Sequence, residues 1–380
     1  MSPSLLILQP TPYCNLDCSY CYLAHRDDRR RMSDEVLRNV AHRILAPCSV
    51  DHLPAILWHA GEPMTLPPSW YDNAFKLLEE ESGHTGLKHV FQTNAVGVTE
   101  AWTSLWKTWR VEIGVSIDGP ADLHDRNRKT RAGRGTHRLT LNGIRKIQCE
   151  GLNVSVISVL GAQGLASPDE LVDFFLAEDL QNVGFNVEEI EGQDTESSLL
   201  GLTDVKDAYY VFLRRVMQRS LHADSAFGCR EVEFLRELFA RPHGQRSQNG
   251  QVVPFDVVTV CVDGGLSTFS PELAGVEAPQ FDNFIFGNVT TGGVEQMTSN
   301  PAFQAAKAAI DKGVSACANQ CAYFEICGGG APSNKFFELN DLAGTETLYC
   351  QLNVQAAVNA VLDEVEAQTV DQSELWRKVQ

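Results

Sequence analysis

The 380-residue chain predicts an α/β fold built on a parallel sheet. From residue 5 to about 190, short β-rich apolar runs alternate with helical patterns. Six such strand–helix units imply a parallel sheet with right-handed crossovers. Polar and cysteine signals also fall just after the apolar runs, at the strand ends where α/β folds place their active sites.

The first strand is the apolar run Leu5–Leu8, and the first helix covers about 33–46. Ser33 is suited to cap that helix, with Asp34 and Glu35 favourable in its opening turn. Further strands are expected at Ala55–Trp58, His89–Gln92, Glu112–Ile117, Asn153–Leu160 and Val183–Val187. Helices are expected between them at about 68–82, 99–109, 137–150 and 168–178, the last opened by Ser167 and Pro168. After residue 190 the rhythm changes. The polar loop 191–198 precedes helices near 204–222 and 230–240, and the Gly-containing stretch Arg241–Gly250 reads as a linker. A cysteine-rich region begins near Val252 and ends in a helix with Val354, Val358, Val361 and Val365 on one stripe. The chain therefore divides into a core at 1–190, a helical bridging region at 191–251 and a C-terminal domain at 252–380.

With 31 basic and 49 acidic side chains, the net charge is −18. Arg29, Arg30 and Arg31 form the only dense positive patch, beside Asp27 and Asp28, which argues against a nucleic-acid partner. No cationic-plus-apolar leader and no apolar stretch near 18 residues is present, so neither export nor membrane insertion is expected. A cytoplasmic protein follows, and in that setting 11 cysteines argue against a disulfide framework. Cys48, Cys149 and Cys229 stand apart and are expected to be isolated core thiols, and metal clusters are the economical explanation for the others.

Cys14, Cys18 and Cys21 have the spacing C-x3-C-x2-C on the loop after the first strand. Three thiolates can hold a [4Fe–4S] cluster and leave one iron free, whereas a closed structural site takes four protein ligands. A zinc knuckle lacking its fourth ligand, or three buried thiols, would be the alternatives. The motif resembles that of the radical S-adenosylmethionine (SAM) enzymes. The resemblance implies a (β/α)6 partial TIM barrel and a free iron that binds the amino and carboxylate groups of SAM. One electron then cleaves the sulfonium to a 5′-deoxyadenosyl radical. By position, Cys14, Cys18 and Cys21 would be the ligands and Tyr20 the aromatic residue near the adenine.

Later strand ends carry matching signals. His59-Ala-Gly61-Glu62-Pro63 resembles the family's G-G-E-P motif, with Ala60 in place of the first glycine. Gly61 lets the backbone approach a ligand, and Glu62 can accept a charge-assisted hydrogen bond from the SAM ammonium. Gln92-Thr93-Asn94 and Ser116-Ile117-Asp118-Gly119-Pro120 also look like family signatures. The resemblance implies Ser116 and Arg128 for the SAM carboxylate, and Asn94 for ribose or substrate.

Cys317-x3-Cys321-x5-Cys327-Gly-Gly-Gly330, followed by Cys350, resembles the SPASM/twitch-like cysteine-rich iron–sulfur domain of peptide-modifying relatives. These extensions commonly hold two auxiliary clusters. Here Gln280 and Ala331 stand where two further cysteines are expected, and Cys261 alone is left for the second site. Cys317, Cys321, Cys327 and Cys350 would close one auxiliary [4Fe–4S] cluster, with a four-thiolate zinc site as the alternative.

The segment Gly328–Glu338, Thr345-Glu-Thr-Leu-Tyr-Cys350 and Trp58-His-Ala-Gly-Glu-Pro63 together resemble the Grr-type maturases that form three-residue cyclophanes. The resemblance implies an oxidoreductase acting on a ribosomal precursor peptide. It would join an aromatic ring carbon to the β-carbon of a nearby residue. An external electron donor of flavodoxin or ferredoxin type is implied, and Asp263 and Glu338 are candidate bases. Formylglycine formation of the anaerobic sulfatase-maturase kind and thioether formation are the alternative reactions. A non-catalytic iron–sulfur electron carrier is the alternative class. With so few residues before Leu5, a leader peptide is expected to dock on the barrel or the C-terminal region.

Overall fold

A computed structural model describes residues 2–192, 196–221, 227–241 and 249–367. Most of the expected linker Arg241–Gly250 and part of the 191–198 loop lie outside the described residues.

Six strands follow one another in the sheet in chain order and run parallel. They are β1 (Leu5–Leu8), β2 (Ala55–Trp58), β3 (His89–Thr93), β4 (Glu112–Ser116), β5 (Ser155–Leu160) and β6 (Asn182–Val187). The short β7 (Gly228–Cys229) extends this run beyond β6. On the other side of β1, β8 (Val257–Val260) pairs in parallel, so the first strand of the cysteine-rich region joins the barrel sheet. Then β9 (Gly265–Thr268) and β10 (Gly287–Asn288) add antiparallel. The sheet has ten strands, with β7 and β10 at its edges, and this is the partial barrel that the motifs imply.

The barrel helices are α1 (Asp34–Val40), α2 (Pro68–Ser82), α3 (Glu100–Trp109), α4 (Ala121–Asn127), α5 (His137–Cys149), α6 (Ala162–Leu165) and α7 (Pro168–Ala177). Ser33 caps α1 as expected, its hydroxyl accepting the Val36 N–H at 3.2 Å. The helix continues through a π-helical turn, Ala41–Leu45. Ser167 makes no capping hydrogen bond, so Pro168 with its pre-set φ is left to open α7. Beyond the barrel lie α8 (Val205–Leu221), α9 (Arg230–Ala240), α10 (Pro301–Gln320), α11 (Phe324–Cys327), α12 (Pro332–Leu339) and α13 over 348–367. No described helix is long and apolar enough to cross a membrane.

Strand alternation sorts the barrel into two faces. Leu6, Leu8, Ile56, Trp58, Phe91, Ile113 and Val115 pack outward into the buried core beneath the helices. Trp58 lies edge-on to Tyr71 and Trp70, with ring centroids 5.3 and 6.0 Å away, an arrangement that aromatic quadrupoles favour. The intervening Ile7, Leu57, Gln92, Gly114 and Ser116 occupy the opposite, inner face. Their strands all end at one mouth, which positions the loops described next.

Candidate active site

The loop after β1 carries the three cysteines and is clamped from several sides. Thr11 Oγ1 donates to the Arg30 carbonyl at 2.7 Å, and the Met32 N–H to the Pro10 carbonyl at 2.8 Å. Arg131 Nε donates to the Cys14 carbonyl at 2.8 Å, and Arg26 Nη1 to that of Cys18 at 3.2 Å. Gly61 lies against this loop at φ +59°, where a Cβ would stand 2.4 Å from the Thr11 carbonyl oxygen. The three thiols are half-buried neighbours. Burial pushes Cys14 up to about 12 and Cys18 up to about 11, and the other cysteines of the trio raise Cys14 further. Thiolates in such surroundings need positive charge beside them, which a metal centre provides. Among the described residues no three His, Cys, Asp or Glu side chains converge tightly enough for a single metal ion. An all-thiolate set on one loop is instead the donor chemistry of an iron–sulfur cluster.

The strand-end residues form a connected polar network. Glu62 is buried, and its carboxylate accepts from Thr93 Oγ1 at 2.7 Å, the Asn94 N–H at 2.8 Å and the Met64 N–H at 2.9 Å. Burial raises its proton affinity, while these three donors oppose the rise. Ser116 accepts from Gln92 Nε2 at 2.8 Å and keeps its own hydroxyl proton to donate. Arg128 is buried and gives Nε and Nη2 to the two oxygens of Asp118, both at 3.0 Å. Asp118 also accepts from the Tyr20 hydroxyl at 2.6 Å and the Val159 N–H at 3.0 Å. Tyr20 is thereby tethered, with the Arg128 guanidinium carbon 5.4 Å from its ring centroid. Asn94 is held at the same mouth. It is buried, its amide donates to Asn15 Oδ1 at 2.8 Å and its carbonyl accepts the Val96 N–H at 2.9 Å. The first of these bonds ties Asn94 to the cysteine loop.

The C-terminal cysteines also come together. Cys317 lies near the end of α10, Cys321 caps that helix, Cys327 ends α11 and Cys350 opens the π-helical stretch Cys350–Ala356. Cys317 and Cys321 raise Cys327 electrostatically, and Cys327 and Cys321 raise Cys350, so all four are neighbours. The Gly329 and Gly330 N–H groups donate to the Cys327 sulfur, which favours its thiolate. Gly328, Gly329 and Gly330 all take positive φ to make that wrap. Cys261 stands apart: burial and Asp263 push it up to about 12, with no cysteine contributing. Of the three expected core thiols, Cys48 and Cys229 are buried, but Cys149, the last residue of α5, is exposed.

Between the two cysteine sets lies an acidic group that the sequence did not reveal. Glu189 and Glu191 follow β6, Glu272 follows β9, and Glu338 is on α12. Glu189 and Glu191 hydrogen-bond to each other, and burial raises both, with repulsion from Glu272 and Glu338 adding to each. Burial pushes Glu272 up to about 7; its carboxylate accepts only from its own backbone N–H. Tyr22, next to Cys21, feels Glu272 and Glu191. Tyr349, next to Cys350, feels Glu189 and Cys327. The Tyr22 hydroxyl lies 3.2 Å from His59 Nε2, and burial lowers that imidazole to about 4, so it is neutral near pH 7. A continuous run of neighbours therefore links the first cysteine set to the second.

Of the two expected bases, Glu338 belongs to this group, although its oxygens already accept the Leu348 and Tyr349 N–H groups. Asp263 does not. Its carboxylate is 61% exposed, accepts the Gly265 N–H at 3.2 Å and has Arg30 at 3.9 Å. The tight turn after Cys261 aims it at solvent. The sequence signal for the acidic group was three glutamates in four positions, Glu188, Glu189 and Glu191, at a strand's C-terminal end. A separate cavity of about 440 Å³ lies at the opposite end of β4 and β5, lined by Lys107, Arg110, Glu112 and Asn153.

A parallel partial barrel whose first loop carries three neighbouring thiols is the arrangement of a SAM-dependent radical enzyme. The comparisons agree: residues 8–175 match the model of the radical SAM superfamily, and the chain belongs to it. An uncharacterized protein of Synechocystis sp. is 39% identical over 368 residues, covering 96% of this chain and 92% of that one. The serine-type anaerobic sulfatase-maturating enzyme of Bacteroides thetaiotaomicron is 24% identical over 89% of this chain and 85% of its own. Two solved structures share the fold. AnSMEcpe with bound AdoMet aligns at TM-score 0.75 and 17% identity, covering 98% of this chain and 99% of that one. Streptococcus suis SuiB bound to precursor peptide SuiA aligns at TM-score 0.62 and 18% identity, covering 92% and 76%. The cofactors of that superfamily are SAM and the [4Fe–4S] cluster that binds it.

Proposed function

We propose that the chain is a maturase of a ribosomally made precursor peptide, joining an aromatic ring carbon to the β-carbon of a nearby residue. The observation that carries this reading is the half-buried acidic group between the two cysteine sets. Cys14, Cys18 and Cys21 would hold the SAM-side cluster, and Cys317, Cys321, Cys327 and Cys350 the auxiliary one. When bound, these groups supply a hydrogen-abstracting 5′-deoxyadenosyl radical and an acceptor for one electron.

The peptide loses two hydrogens per crosslink. One leaves the β-carbon as an atom; the other leaves the ring as a proton and an electron, and one C–C bond forms. Glu272 takes the proton, since a carboxylate held near 7 is available as a base at neutral pH. Glu62, Ser116 and the Asp118–Arg128 pair orient the SAM end of the site. A low-potential carrier of flavodoxin or ferredoxin type would supply the electron that starts each turnover.

A second reading is formylglycine formation, favoured by the full-length similarity to the sulfatase-maturating enzyme. Thioether formation is a third. Crosslinking, thioether formation and formylglycine formation from serine each remove two hydrogens, so mass alone does not separate them, whereas formylglycine from cysteine also exchanges sulfur for oxygen. The test is coexpression with the precursor encoded nearby, followed by tandem mass spectrometry, aldehyde labelling and thiol alkylation. The proposed reaction gives a two-hydrogen loss, no aldehyde, unchanged thiols and no fragmentation between the joined residues. An aldehyde or a consumed thiol would overturn it.

A further inference from the structure

Lys335 is the one deeply buried lysine among the described residues, and no step above uses it. It is 3% exposed on α12, and its Nζ donates toward Cys317 Sγ at 3.9 Å. The side chain fits because two glycines make room for it. A Cβ on Gly313 would stand 3.0 Å from Nζ, and one on Gly330 would stand 3.5 Å from Cε. Among the described residues no carboxylate pairs with this ammonium. A buried charge without a partner is strongly unfavourable, so its counter-charge must be close by. Among the described residues the sulfur within its reach is that of Cys317, one of the four C-terminal thiols. The next residue on the same helix points elsewhere: Asn334 donates to Glu189 of the acidic group. Helix α12 therefore meets Cys317 through one side chain and the acidic group through its neighbour.

We propose that Lys335 sets the reduction potential of the auxiliary cluster, making it a stronger electron acceptor. This rests on the assignment of Cys317, Cys321, Cys327 and Cys350 as that cluster's ligands. A fixed positive charge and an N–H···S contact both favour the more negative, reduced state. In each crosslink the ring C–H bond breaks. Its proton goes to the acidic group, and its electron reduces the auxiliary cluster by one. A carrier of flavodoxin or ferredoxin class returns the cluster to its oxidised state. Lys335 acts through the cluster and touches no substrate.

The test is an anaerobic redox titration, followed by electron paramagnetic resonance, of the reconstituted full-length protein and its Lys335→Met and Lys335→Arg variants. Iron is counted first. In Lys335→Met the auxiliary signal should titrate at a potential lower by at least about 59 mV, a tenfold change for one electron. The SAM-side signal should not move, and Lys335→Arg should stay near wild type. An unmoved auxiliary potential in Lys335→Met with full iron overturns the proposal. If Lys335→Met loses iron, Lys335→Arg decides: retained iron and potential support the charge, and lost iron overturns the tuning role. Cys317→Ala tests the underlying assignment separately, because a second signal that survives it would refute the ligand set rather than the lysine.

Discussion

Asp118 and Arg128 meet as two charges almost out of reach of water, and each would be costly to bury alone. Asp118 also holds Tyr20 and the Val159 N–H, so one carboxylate fixes the SAM-side wall at several points. Asp118→Asn leaves the guanidinium uncompensated, and a loss of about 3–5 kcal/mol in unfolding free energy is expected by denaturant titration. Replacing both members by apolar residues of similar size should recover much of that loss, while SAM binding stays impaired. At Glu272 the expected effect is on pH dependence. Its proton affinity is raised to about 7, so the base form grows as pH rises through that value. Crosslinking should climb across the same range and lose that limb in Glu272→Gln. Formation of 5′-deoxyadenosine should persist without product, measured by chromatography beside peptide mass spectrometry. A variant that keeps both its product and its pH limb would remove Glu272 from the mechanism.

At the scale of elements, the loop after β1 depends on the turn after β2. The Glu62 N–H donates to the Tyr13 carbonyl at 2.8 Å, and Gly61 allows the two backbones to touch. Gly61→Ala places a methyl group inside contact distance at a positive φ, so the loop must move. The variant should fold with an unchanged far-ultraviolet spectrum yet lose about four iron atoms per chain, the content of one cluster. Full iron and normal SAM cleavage would show that the loop tolerates the shift. This element was legible in the sequence because its ligands, its strand and its glycine turn are each written locally. The acidic group was not. Glu189 and Glu272 lie more than eighty positions apart and meet only because β8 and β9 extend the sheet past β1. Lys335 was equally hidden, since a lysine on a short helix ordinarily reads as solvent-facing. Asp263 misled for the reverse reason: closeness to Cys261 in the chain says nothing about which side of a tight turn a carboxylate takes.

For the whole molecule, the sheet and the cysteine pattern set how many clusters the chain can hold. Each member of the first trio and of the later four has another cysteine among its electrostatic neighbours, directly or through its partners. Cys261, at the end of β8, has only Asp263. A cluster needs several thiolates at one place, so Cys261 cannot found a third centre from this chain alone. Reconstituted protein is therefore expected to hold about eight iron atoms per chain, as two four-iron clusters. Replacing Cys14, Cys18 and Cys21 together should remove about four of them and abolish SAM cleavage. Replacing the four C-terminal cysteines should remove about four and leave SAM cleavage in place while product formation fails. Cys261→Ala should leave both the iron count and the crosslink intact. Iron analysis, Mössbauer spectra and product assays on the same preparations check all three, and loss of iron from Cys261→Ala would mean that the sheet brings in a ligand from elsewhere, outside the described residues or from a partner.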